Sequence, residues 1–148
     1  MTGVPEGSLD ELVTQATRAR EAAFAPYSRF RVGAAVRCAS GRTYTGCNVE
    51  SASYSLTCCA ERVAVFKAVS EGERAVVACA VVTDVDPPVG PCGACRQVLF
   101  EFGPDATIVW ANLGGARQES TMRALLPGAF DASQLPDPAP VGAASTRG

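Results

Sequence analysis

The 148-residue chain contains no histidine. That absence excludes Ser-His-Asp and Cys-His catalysis, and it excludes zinc sites built on His-Glu-x-x-His. Any transition-metal site must rest on cysteine and carboxylate. Any acid–base chemistry must come from Glu, Asp, Lys, Tyr or Cys. A basic excess is also missing: 13 Lys and Arg stand against 15 Asp and Glu, a formal net charge of −2, with a pI near 5.1. A polynucleotide binder needs a basic stripe to displace phosphate counterions, so no nucleic-acid partner is expected, whereas a single nucleoside stays open as a substrate. No run approaches the ~20 apolar residues of a membrane span. Met1 to Asp10 lacks a basic segment leading into an apolar one, so no secretory signal is read there. No membrane partner is expected, and the expected location is cytoplasmic.

With 47% apolar and 19% charged residues, the composition is that of an ordinary globular protein. The length suits one domain, taken as residues 1–135. The segment 136–148 is Pro, Ala, Gly and Ser without periodicity and reads as a disordered tail. The seven cysteines are an odd count, which in a reducing compartment points to thiols or metal ligands rather than a disulfide framework.

Ser8-Leu9-Asp10-Glu11 has the form of a capping box, followed by apolar residues at helical spacing, so a helix is predicted from there to about Phe24. Phe30–Cys38 and Thr43–Val49 flank a Ser-Gly-Arg turn and read as a hairpin. Cys59–Val69 is predicted helical with Gly72 ending it, and Val76–Val82 is a strand buried on both faces. Gly93–Phe102 reads as a helix, Thr107–Leu113 as a strand and Met122–Leu126 as a short helix. Alternation after an antiparallel hairpin implies an α/β fold with a mixed sheet and helices on both faces.

The chemistry concentrates in two segments, Cys59-Ala60-Glu61-Arg62 and Pro91-Cys92-Gly93-Ala94-Cys95. A C-x-x-C pair alone is ambiguous between metal, redox and coincidence. C-x-E followed by P-C-x-x-C resembles the zinc deaminase signature in its three-cysteine form. Cys59, Cys92 and Cys95 all fall at predicted helix starts, where free N–H groups and the dipole favour the thiolate that binds metal. Three ligands would hold one Zn²⁺ and leave a fourth position for water. Glu61, one turn in, is placed to take a proton from that water and carry it to a ring nitrogen. Three thiolates on one Zn²⁺ sum to −1, and Arg62 is placed to withdraw charge from sulfur.

Beyond these motifs the chain resembles the cytidine deaminase family, specifically its small homotetrameric type, over Leu9–Phe130. The likeness is carried by Ala25-Pro26-Tyr27-Ser28-Arg29-Phe30, Thr45-Gly46-Cys47-Asn48-Val49-Glu50, the two cysteine segments, Phe66–Gly72 and Leu125–Phe130. The resemblance implies a three-layer α/β/α sandwich with a mixed sheet of about five strands. It implies hydrolysis of cytidine or 2′-deoxycytidine to the uridine and ammonia, as in pyrimidine salvage, and a homotetramer. It puts Asn48 and Glu50 on the ribose, the backbone around Ala60 and Glu61 on the polar edge of the base, Phe30 against the ring, and Phe130 reaching in from a neighbouring subunit.

Other readings of the same residues stand beside this one. They are a closed structural zinc with Cys58 or Cys47 as fourth ligand, a redox pair at Cys92 and Cys95, and a deaminase of a nucleoside-like antibiotic. Asn48 could be satisfied locally, and Phe30 and Phe130 could be core residues only.

Overall fold

The computed structural model describes residues 6–136. Helix α1 (Glu6–Arg20) leads into a hairpin of β1 (Gly33–Cys38) and β2 (Thr43–Cys47). Then follow α2 (Ala60–Ser70), β3 (Val76–Thr83), α3 (Gly93–Phe102), β4 (Thr107–Asn112), β5 (Arg117–Thr121) and the one-turn α4 (Met122–Leu125). The five strands lie in the order β2-β1-β3-β4-β5. Only β3 and β4 are parallel, and the other three neighbouring pairs are antiparallel. This is the expected mixed sheet.

Strand alternation divides the core into two layers. Ala35, Ala80, Val82, Val109 and Ala111 point toward Leu9, Leu12 and Ala16 of α1. Ala34, Val36, Cys79, Val81 and Ile108 point the other way, toward Ala64, Val65 and Ala68 of α2 and Leu99 of α3. Both faces of β1 and β3 are therefore covered, which is why the Val76–Val82 run is almost wholly apolar.

Boundaries move where tertiary bonds compete with local pattern. Helix α1 starts two residues before Ser8, so Ser8 is not its cap, and it ends at Arg20 rather than near Phe24. Three successive i→i−3 bonds tighten the exit, and Phe24 is then drawn into a parallel bridge with Val49. Strand β1 starts at Gly33 rather than Phe30. The Asn48 side chain takes over that part of the ladder: Oδ1 accepts from Val32 N at 2.9 Å and Nδ2 donates to Phe30 O at 2.6 Å. Helix α2 ends as the sequence predicts. Gly72 adopts φ +103°, Gly72 N donates to Val69 O and Glu73 N to Ala68 O, a Schellman closure. The predicted tail at 136–148 lies, beyond Pro136, outside the described residues.

Strand β5, Arg-Gln-Glu-Ser-Thr, carries no apolar residue and is not legible from hydrophobic pattern. It is held by its ladder to β4 and by Arg117, which pairs with Asp10 of α1 and, at 2.9 Å, with Glu119. A charged edge strand of this kind also discourages further strand addition.

One contact sets the position of α2. A Cβ at Gly46 of β2 would stand 2.5 Å from Ala60 O and 2.6 Å from Ala64 N, so only glycine lets the first turn of α2 lie this close to the sheet. Gly46→Ala is expected to lower unfolding free energy by about 1–3 kcal/mol, the usual cost of overpacking. Urea denaturation checks this, with a lower midpoint at unchanged slope.

Candidate metal centre and substrate cavity

The first residue of each cysteine segment is a helix N-cap: Cys59 caps α2 and Cys92 caps α3, both in extended conformation. Sulfur thus occupies the position that Ser, Thr or Asp usually fills. The C-x-x-C spacing puts Cys92 at N-cap and Cys95 at N3 of one helix, the two positions whose side chains meet across the mouth of a capping box. Because α2 and α3 start over the same face of the sheet, the three sulfurs converge to within 4.8 Å of one another. Cys59 Sγ and Cys92 Sγ are 3.9 Å apart. Sulfurs bound at ~2.3 Å around one tetrahedral zinc stand about 3.8 Å apart, so the trio fits that ion. Cys95 is buried, Cys59 half-buried and Cys92 exposed, which leaves one side of the trio open. Among the described residues this is the sole cluster of three or more candidate ligands, and neither Cys47 nor Cys58 joins it. The closed four-cysteine site is therefore not formed.

Electrostatics reinforce the geometry. A hydrogen bond from Cys95, and then the Arg62 guanidinium, hold the Cys59 thiol well below its ordinary pKa despite burial. Cys95 moves the other way, raised by its bond to Cys59 and by burial. Hydrogen bonding between these two sulfurs thus favours the anion at Cys59 and the thiol at Cys95. Arg62 Nη2 donates to Cys59 Sγ at 3.3 Å, the contact the sequence suggested. Glu61 is only 4% exposed. Burial lifts its carboxyl to about 6, with the Cys59 charge adding to the rise.

Glu61, Cys59 and Cys92 line a cavity of about 320 Å³ together with Phe30, Asn48 and Glu50. Six expected residues from four separate segments thus meet around one space. Ala60, fully buried, is the first residue of α2 beside it, where the leading N–H groups have no intrahelical acceptor. Phe130 does not line this chain's cavity: it is 58% exposed, and its carbonyl accepts from Gln97 Nε2 at 2.8 Å. Glu50 is gripped by the preceding loop. Its Oε1 accepts from Tyr27 N at 2.9 Å and Ser28 N at 3.1 Å, and its Oε2 from Ser28 Oγ. These bonds, the Ser28 hydroxyl first, hold the carboxyl below its usual range.

Several cavity residues had no assigned role in the sequence: Ser28, Val32, Thr57, Val81, Thr83 and Val89. Strand parity offered one signal, since Val81 and Thr83 fall on the same face as Cys79. For Ser28 the signal was its place in the Ala-Pro-Tyr-Ser block.

Residues 7–111 match the family described as the cytidine and deoxycytidylate deaminase zinc-binding region. The chain belongs to that family. The deaminase fold and the three-thiol centre agree with this membership. The chain is 55% identical over 127 residues to a cytidine deaminase of Halalkalibacterium halodurans, covering 85% of this chain and 96% of that one. It is 50% identical over 128 residues to a cytidine deaminase of Sporosarcina psychrophila, covering 86% and 94%. Among solved structures, cytidine deaminase from Burkholderia pseudomallei superposes with a TM-score of 0.79 at 47% identity, covering 82% of this chain and 98% of that one.

If the centre is an open three-thiolate site, Cys92→Ala should fall to under about a tenth of an equivalent of bound zinc, while Cys47→Ala keeps one per chain. Metal analysis after gel filtration reads both.

Proposed function

We propose that this deaminase hydrolyses the exocyclic amine of cytidine and 2′-deoxycytidine, giving the uridine and ammonia. The observation that carries the reading is the buried Glu61 carboxyl, which lines one cavity with Cys59 and Cys92, two of the three converging thiols. Cys59, Cys92 and Cys95 would hold one zinc ion, which would supply Lewis-acid activation of water. Glu61 does the proton work. As carboxylate it takes a proton from the attacking water and passes it to the ring nitrogen. It then carries a second proton to the amine, which leaves as ammonia. Burial raises the Glu61 carboxyl above its ordinary range, the direction that suits a group which must give a proton as well as take one. Arg62, hydrogen-bonded to Cys59 Sγ, draws charge from the sulfur and so offsets the excess of thiolate over metal charge.

The far end of the cavity suits a sugar. Three donors hold Glu50 in place and leave acceptor capacity for a ribose hydroxyl, which we assign to the 3′ position. Asn48 uses one bond from each end of its amide on the backbone, and each end keeps one for ligand. The backbone at Ala60 and Glu61 reads the polar edge of the base, and Phe30 packs against the ring. A contact at the 3′-hydroxyl rather than the 2′ leaves both nucleosides as substrates.

Phe130, exposed and outside this chain's cavity, is assigned to the cavity of a second copy in a homotetramer. Exposed apolar surface near the cavity mouth supports assembly: Tyr27 and Tyr54 meet edge to face at 5.9 Å, and Tyr54 and Leu56 are each more than 70% exposed. The catalytic unit is residues 1–135, and reduced thiols throughout suit a cytoplasmic location.

Glu61→Ala is expected to lower ammonia release from cytidine by ~10²–10⁴-fold with zinc content unchanged. Ammonia release by the parent and none by a zinc-loaded variant supports the proton shuttle. No release by the zinc-loaded parent from either nucleoside would overturn the activity. For the assembly, sedimentation should give a mass four times 15.3 kDa, and Phe130→Ala should raise KM. A monomer with full activity at high dilution would rule out the shared site.

A further inference from the structure

Glu50 and Phe30 reach the cavity from different segments, and a single hydroxyl touches both. Ser28 Oγ donates to Glu50 Oε2 and accepts from Phe30 N at 3.0 Å. The directions follow from the groups. An ionised carboxylate only accepts and a peptide N–H only donates, so the one hydroxyl proton goes to Glu50 and a lone pair to Phe30. The second bond closes a serine turn across Arg29, which adopts φ +58°, a conformation uncommon outside glycine.

Phe30 precedes β1, and side chains take both of its peptide groups. Ser28 Oγ accepts from its N–H, and Asn48 Nδ2 donates to its carbonyl at 2.6 Å. Placement of the ring therefore depends on two side chains that themselves line the cavity. Glu50 is different, because its backbone is already fixed: Glu50 N donates to Phe24 O at 2.9 Å. The further bonds from Tyr27 N, Ser28 N and Ser28 Oγ fix the direction of its carboxylate. The two amides would remain with almost any residue at position 28. What serine adds is the hydroxyl, the group that joins the carboxylate to the Phe30 peptide. Ser28 is solvent-exposed, and substitutions at such positions change stability little.

We propose that Ser28 is a positioning residue that ties the Glu50 carboxylate to the Phe30 peptide, so that sugar and base are recognised as one unit. This rests on the nucleoside reading above, in which Glu50 binds the 3′-hydroxyl and Phe30 packs against the ring. Ser28 acts through those two residues. Without its hydroxyl, Oε2 loses its donor and the carboxylate turns about the bonds to Oε1. The Phe30 N–H loses its acceptor, and the ring loses its fixed place. The contribution of the 3′-hydroxyl to binding then falls, because its acceptor no longer waits in one direction.

The test compares zinc-loaded Ser28→Ala and Ser28→Thr with cytidine and 3′-deoxycytidine as substrates. Ser28→Ala is expected to lower kcat/KM for cytidine about tenfold, mostly through KM, and for 3′-deoxycytidine less than about twofold. Ser28→Thr, which keeps the hydroxyl, should stay within about threefold of the parent on both. Losses from Ser28→Ala and Phe30→Leu should not multiply: the double variant is expected within about threefold of the worse single one. Unchanged kinetics in Ser28→Ala overturn the proposal. So does an equal loss toward the two nucleosides, which would mean that the hydroxyl only holds the loop. Fully multiplicative losses overturn the link to Phe30. A parent that deaminates both nucleosides equally well overturns the placing of Glu50 on the 3′-hydroxyl, and the proposal with it. A zinc-loaded parent that releases no ammonia from either overturns the deaminase reading itself.

Discussion

Helices α2 and α3 start over the same face of the sheet, and the contents of the site follow from that meeting. Cys59 and Cys92 are the N-caps and Cys95 lies one turn in, so the converging sulfurs report where the two helix mouths point. The convergence is fixed from outside the site. Backbone of α2 lies directly on Gly46 of β2, while α3 packs Leu99 and Phe100 into the same core layer. Were either helix to shift by an ångström, three thiols would no longer fit one ion. Two elements far apart in sequence are thus brought into register by a tight backbone contact and a shared apolar layer.

Charge at the centre is uneven: hydrogen bonds from Cys95 and Arg62 lower the Cys59 thiol, whereas its bond to Cys59 and burial raise Cys95. Arg62 is the cation nearest the trio and bonds to the Cys59 sulfur. Glu61, inside the apolar layer of α2, is raised first by burial; a backbone hydrogen bond opposes this, and the Cys59 charge adds to the rise. A cation bound among the sulfurs would act on Glu61 in the opposite sense, so metal and carboxyl respond to each other.

Much of this was legible in the sequence, for identifiable reasons. Helices α2 and α3 and strand β3 were read within a residue or two because pattern and termination agree there: apolar periodicity, Gly72 at one end, an uninterrupted apolar run in β3. The cysteine segments gave the centre because spacing and helix position together fix where sulfur points. What escaped was held by bonds between distant backbone or polar groups. Strand β5 has no apolar residue to betray it. The end of α1 and the start of β1 are set by Asn48, Val49 and Phe24, which compete with local propensity from elsewhere in the chain. The Ser28 grip on Glu50 joins residues that no periodicity relates. Phe130 gave a family resemblance, yet within one chain its side chain stays outside the cavity.

The Asn48 amide replaces rungs that β1 would otherwise have made at Phe30 and Val32. One backbone rung persists there, Asn48 N to Val32 O at 3.2 Å, and the Asn48 side chain supplies the remaining bonds at the cavity wall. The fold thus already uses one hydrogen-bonding position at each end of this amide. Aspartate there would set an acceptor against the Phe30 carbonyl, and alanine would leave the Val32 amide bare. Change at this position is therefore constrained by the loop before it, because one side chain satisfies both an amide and a carbonyl there.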